Sequence, residues 1–144
     1  MTEDELQKYV PESWPYKYGK TIWLPGYLPP SMNIMLRKSW NTFGKRQERK
    51  RIGTLLFGAG IAYLKPAGAK EKRGLVVVQE RNRFLDKDNL GASVKVMLDT
   101  LRDFKVIRND SEASLDEEVT QVHAPKDAQG TNIIILAMEP LEEA

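Results

Sequence analysis

Between Phe84 and Ser111 the chain reads FLDKDNLGASVKVMLDTLRDFKVIRNDS, with acids and bases at spacings that suit one kind of chemistry. Asp86 and Asp88 stand at alternate positions after a strand-like run, and Asp110 follows a second short apolar patch. Three carboxylates drawn from a strand end, a helix start and a returning loop make an oxygen-rich site. Such a site suits a hard divalent cation such as Mg2+, which binds through a few carboxylates and keeps waters that phosphate oxygens can displace. Lys95 and Asp99, four residues apart, share one face of the intervening helix. An ammonium there would offset the charge that builds on a phosphate under attack. The chemistry these residues suggest is metal-dependent phosphodiester hydrolysis on DNA.

Each acid also has an ordinary structural use. Asp88 suits the cap of a helix starting near Asn89, Asp99 suits an ion pair with Lys95, and Asp110-Ser111 is turn chemistry. The combination, Asp-x-Asp-Asn, then Lys and Asp on one helix, then Asn-Asp-Ser, is what favours a site. Gly19-Lys20-Thr21 fails as a phosphate loop because Trp14 stands where the motif needs glycine. The single histidine, His123, has no serine partner and is assigned no catalytic part.

The surrounding pattern must hold these residues together. Residues 1–20 read as a peripheral arm whose aromatics Trp14, Tyr16 and Tyr18 pack it onto a body comprising residues 21–144. TIWLPGYL, residues 21–28, is an interrupted or edge strand, broken by Pro25-Gly26. Ile52, Leu55, Leu56, Ala59 and Tyr63 recur at helical spacing and predict a helix over 45–63. GLVVVQERNRF, residues 74–84, is a strand whose apolar first half is buried and whose second half leads to Asp86. Leu90, Val94, Met97, Leu98 and Leu101 predict one helix with a core-facing stripe. Residues 115–124 and 131–138 are strands, and the turn KDAQG between them predicts a hairpin. The sum is a single α/β (α+β) domain in two layers, with helices packed on a mixed sheet.

The 144 residues, 41% of them hydrophobic, suffice for one sizeable core and not for two. No apolar run approaches the roughly 20 residues that cross a bilayer. The start, MTEDELQKYV, lacks the basic and apolar regions of a signal peptide. Without cysteine there is neither a disulfide framework nor a thiolate zinc site. The expectation is a soluble cytoplasmic protein that does not associate with membranes. Net charge is only +2, yet Arg37, Lys38, Lys45, Arg46, Arg49, Lys50 and Arg51 face a single acid, Glu48, within residues 37–51. That block reads either as a face for a polyanion or as a solvated helix face. With Arg81 and Arg83 beside the acids, it supplies the candidate phosphate contacts. Trp40 and Phe43 read first as core or interface residues, and second as candidates to stack on opened bases.

Asp86-Lys87-Asp88-Asn89-Leu90, Lys95, Asp99-Thr100-Leu101 and Val106-Ile107-Arg108-Asn109-Asp110-Ser111 together resemble the signature of the RusA-type Holliday-junction resolvases. Leu24-Pro25-Gly26 and Pro29-Pro30-Ser31-Met32-Asn33 resemble that family's N-terminal strand and proline-asparagine turn, so the likeness spans residues 21–138. The resemblance implies a homodimeric Mg2+-dependent endonuclease, with Mn2+ as a substitute, that nicks four-way DNA junctions symmetrically in a bacterial cell or its phage. It implies Asp86, Asp88 and Asp110 as metal-binding carboxylates, Lys95 as the essential lysine, and Asn89 and Asp99 in support. The chain departs from the pattern twice. Asn109-Asp110 stands where many members carry two aspartates, and Gly91-Ala92-Ser93-Val94 separates Leu90 from Lys95, an insertion other members share. The first departure keeps open a non-catalytic module for branched DNA. A less selective nuclease for flaps and other branches is the third reading.

Overall fold

The strand Arg73–Arg81 (β2) carries apolar residues on both faces, Leu75 and Val77 on one and Val76 and Val78 on the other, all fully buried. A strand of that kind needs neighbours at both edges and cover above and below. The structure, a computed structural model, describes residues 1–31, 44–109 and 111–142. In it β2 pairs in parallel with Leu115–His123 (β3) and antiparallel with Gly130–Ala137 (β4). β4 pairs in turn with Tyr18–Pro25 (β1), giving a four-stranded mixed sheet in the order β1-β4-β2-β3. With the helices below, this is a single small α+β domain.

The expected hairpin of residues 115–124 with 131–138 is not formed, because β2 lies between β3 and β4. The composition of the two strands explains the order. β4 is buried at every position and belongs in the interior, whereas β3 exposes Glu117 and Glu118 and tolerates an edge. KDAQG accordingly forms a short 3-10 turn, Lys126–Ala128, that carries the chain across β2. β1 is an edge strand, as its proline predicts, but it begins at Tyr18.

Helices Lys45–Gly58 (α1), Lys87–Ser93 (α2) and Lys95–Asp103 (α3) form the second layer. Ile52 and Leu56 of α1 and Met97 and Leu101 of α3 pack with Ile22, Leu75, Val77, Ile133 and Ile135 from the sheet. Each such buried side chain contributes about 1.5–3 kcal/mol. The first helix stops short of the predicted residue 63. Gly60 takes φ +88, the left-handed value that ends a helix, so Ile61 turns inward while Tyr63 is left 84% exposed. The predicted helix over 90–101 is divided at Val94, whose ψ of 0 steps the axis. Its apolar stripe nevertheless survives, with Leu90, Val94, Met97, Leu98 and Leu101 all buried.

The N-terminal arm covers the other face. A one-turn helix, Glu3–Gln7, is closed by a capping box between Thr2 and Glu5, and it buries Leu6 against Val76, Val78, Ile134 and Leu136. Trp14 and Tyr16 meet edge to face at 5.8 Å and lie over Gly74, where an added Cβ would stand 2.8 Å from Tyr16 Cε2. The Tyr16 hydroxyl donates to Asp116 Oδ2 at 2.8 Å. Tyr18, the third predicted aromatic contact, is instead exposed.

At the opposite end of β2 from the acids, Arg73 acts as a staple. Its guanidinium donates to the carbonyls of Lys65, Pro66 and Val106 and to Glu71 Oε2, binding two loops to the sheet. No helix among the described residues is long and apolar enough to cross a membrane.

Candidate active site

Because side chains alternate along a strand, the odd-numbered positions of β2 face the helices. At its C-terminal end these are Gln79 and Arg81, both buried. Gln79 Nε2 donates to Ser93 Oγ at 3.0 Å, and that hydroxyl donates to the Leu90 carbonyl at 2.7 Å. The last turn of α2 is thereby tied to the sheet. Arg81 Nε donates to Gln79 Oε1 at 2.7 Å and one Nη to the Pro29 carbonyl at 2.9 Å. Burial lowers the pKa of this guanidinium. Arg81 thus joins β2 to the Pro29-Pro30 turn through the same group that was expected to meet phosphate.

From Arg81 the chain passes through residues 82–85 to α2. Asn82 N–H donates to Gln129 Oε1 at 2.9 Å, while Leu85 is held at both its N–H and its carbonyl by the side chain of Gln121 from β3. This connection therefore has fixed ends, and Asp86 follows directly on one of them.

Asp86 is the N-cap of α2. Its Oδ1 accepts the Asn89 backbone N–H at 2.9 Å, and its Oδ2 accepts Asn89 Nδ2 at 3.0 Å. The capping role expected at Asp88 therefore falls two residues earlier. Asp88 lies in the first turn, exposed. Asn89 Oδ1 is buried and has no hydrogen-bond partner among the described residues. The bond from Nδ2 to Asp86 fixes the amide, since a flip would set two oxygens against each other. A buried acceptor without a donor is uncommon enough to call for a reason.

Lys95 opens α3 and is exposed. Asp99, with a side chain only 14% exposed, pairs with Arg102 at 3.5 Å, where an ion pair with Lys95 was expected. Asp110 lies outside the described residues, as do Arg37, Lys38, Trp40 and Phe43. Among the described residues no group of three or more acids or histidines is placed to hold a metal ion. Two of the three expected carboxylates, Asp86 and Asp88, stand at one helix start with the Asn89 amide.

The basic block is partly committed to the fold. Arg49 is ion-paired with Asp103 of α3, and Arg51 lies over the Tyr27 ring, 5.1 Å from its centroid. Glu48 is buried and accepts the Tyr27 hydroxyl at 2.5 Å. Burial, and then this bond to a carboxylate, push the Tyr27 pKa upward. Arg46 and Lys50 are exposed and Lys45 is half-buried.

A pocket of about 530 Å³ is lined by the connection that leads to Asp86 and by the β3–β4 link: Arg81, Asn82, Arg83, Phe84, Leu85, Lys126 and Gln129. Lys126 and Gln129 come from a segment that reads simply as a turn in the sequence. The one available signal was polar amide residues, Gln79 and Gln121, set among strand positions that should face the core.

A scan against protein-family models returned no match, and a search of curated proteins found no significant relative.

Proposed function

We propose that this chain is a divalent-metal-dependent endonuclease for branched DNA, resolving four-way junctions by paired nicks from a homodimer. The observation that carries the reading is the buried, unpartnered Asn89 Oδ1 beside Asp86, at a helix start that also bears Asp88. An amide oxygen and two carboxylates are the hard donors that Mg2+ or Mn2+ takes. Asp110 is the further carboxylate that the resemblance to the RusA-type resolvases adds. A bound ion of this kind acidifies water and neutralises charge on a phosphate.

The protein's own contribution is positioning. Asp86 and Asp88 supply negative charge at the end of a connection clamped on both sides. Lys95 supplies a cation for the oxygen that leaves. Arg83, Lys126 and the exposed Arg46 and Lys50 attract the backbone without regard to sequence. Two copies account for cuts at symmetric places.

A second reading has a specific observation in its favour. Both Asp86 oxygens already accept hydrogen bonds from Asn89, as in a helix cap with no further task. In that case the chain is a non-catalytic module for branched DNA. Incubating the protein with four-way, flap and linear duplex DNA, with Mg2+ and then with EDTA, separates the readings. Symmetric nicks in the junction that require metal support the first. Binding without scission under either ion supports the second, and equal cutting of flap and junction marks a less selective nuclease.

A further inference from the structure

Phe84 is 56% exposed and belongs to neither apolar cluster of the fold. An unsupported phenylalanine on a surface connection ordinarily moves freely. Here its neighbours do not, because Asn82 is bonded to Gln129 and Leu85 to Gln121, from two separate parts of the chain. The backbone on either side of the ring is thus held before anything binds, which lowers the ordering cost of binding there. The ring lines the 530 Å³ pocket together with Arg83 and Lys126. That volume falls in the usual range for a small-molecule site, about 300–1,000 Å³.

An aromatic ring and two cations lining one pocket are chemistry for a base and its phosphates. We infer that this pocket takes one nucleotide whose base has left the stack, the base lying on Phe84 and its flanking phosphates meeting Arg83 and Lys126. A base stacked inside a duplex has both faces covered by its neighbours, so the pocket selects DNA with an unstacked base. It lies two residues before Asp86 in the chain, so the captured nucleotide neighbours the phosphodiester to be cut. The inference rests on the nuclease reading for that last step alone. The pocket would serve a module that only binds equally well.

The test uses a four-way junction carrying 2-aminopurine at an unpaired central position, titrated with the full chain in EDTA. Wild type should bind and change the probe's fluorescence on stacking. Phe84→Ala should weaken binding about tenfold and abolish that change, whereas Phe84→Tyr should restore both. Lys126→Gln should leave the stacking signal in place while lowering the slope of log affinity against log salt by about one. Affinity and fluorescence unchanged in Phe84→Ala, or a salt slope unchanged in Lys126→Gln, would overturn the inference. The two claims fail separately. Metal-dependent cleavage with a silent Phe84→Ala removes the pocket and spares the nuclease, and the signal without any cleavage does the reverse.

Discussion

Gln121 holds Leu85 with both ends of its side chain, Oε1 accepting the Leu85 N–H at 3.0 Å and Nε2 donating to its carbonyl at 2.7 Å. An edge strand thereby fixes the residue before Asp86. Replacing Gln121 with leucine keeps the bulk and leaves two partly buried backbone groups unpaired, at a cost of about 1–3 kcal/mol. A urea melt should show that loss, and hydrogen exchange should quicken at Leu85. Junction cleavage should fall further than junction binding. Unchanged exchange at Leu85 would show that the clamp does not order the connection.

Arg73 is the other anchor of β2. Its planar donors reach three carbonyls and Glu71, a geometry lysine cannot copy. Arg73→Lys is expected to cost about 3 kcal/mol, read as a lower denaturant midpoint with an unchanged slope. Burial alone would raise the Glu71 pKa, but hydrogen bonds from Arg73 and the Gly68 N–H outweigh it and hold the carboxyl below its ordinary 4.5. A depressed folded pKa stabilises above the unfolded value and loses that contribution as pH falls through the folded one. The acid limb of a stability profile below about pH 4.5 should therefore flatten in Glu71→Gln.

At the alkaline end the sign reverses. Burial, then hydrogen bonds to Asp116 and Glu48, raise Tyr16 and Tyr27 above the ordinary phenol value of 10. A raised folded pKa leaves stability intact below pH 10 and erodes it as pH climbs toward the folded value. Absorbance at the phenolate band should show a fraction of the five tyrosines ionising only with unfolding. That late fraction should shrink in Tyr16→Phe. An unchanged late fraction in that variant would contradict the part-buried bond to Asp116.

The arm offers a separate test. A Cβ at Gly74 would meet Tyr16 at 2.8 Å and Trp14 at 3.0 Å, so Gly74→Ala must displace the aromatics. Limited proteolysis should then cut the arm first, while the helix-side core keeps its protection.

Much of this arrangement could be read from residue types, and the exceptions are physical. The apolar run of β2 and the stripe from Leu90 to Leu101 announce their burial by hydrophobicity alone. Pairing order is not written in that way. Residues 115–124 and 131–138 satisfy a hairpin pattern, and only the demand of β2 for a partner on each edge puts β3 and β4 on opposite sides. The step at Val94 escaped because a stripe with the right spacing survives a local change of ψ. At the site, Asp86 and Asp88 were legible as a pair. Capping by Asp86 was not, since the helix begins before the first apolar position of its stripe. The pairing of Asp99 with Arg102 over Lys95 is a choice between neighbours three and four residues away.

The central claim is that the acids at the start of α2 do chemistry and are more than a cap. Asparagine caps helices about as well as aspartate, so Asp86→Asn should fold with stability within about 0.5 kcal/mol of wild type. The decisive measurement is its Mg2+-dependent cleavage rate on a four-way junction at matched occupancy. We predict a loss of more than about 100-fold, beyond the usual effect of removing an outer partner of a metal ligand. Cleavage at the wild-type rate in this folded variant would reduce Asp86 to a helix cap and contradict the account.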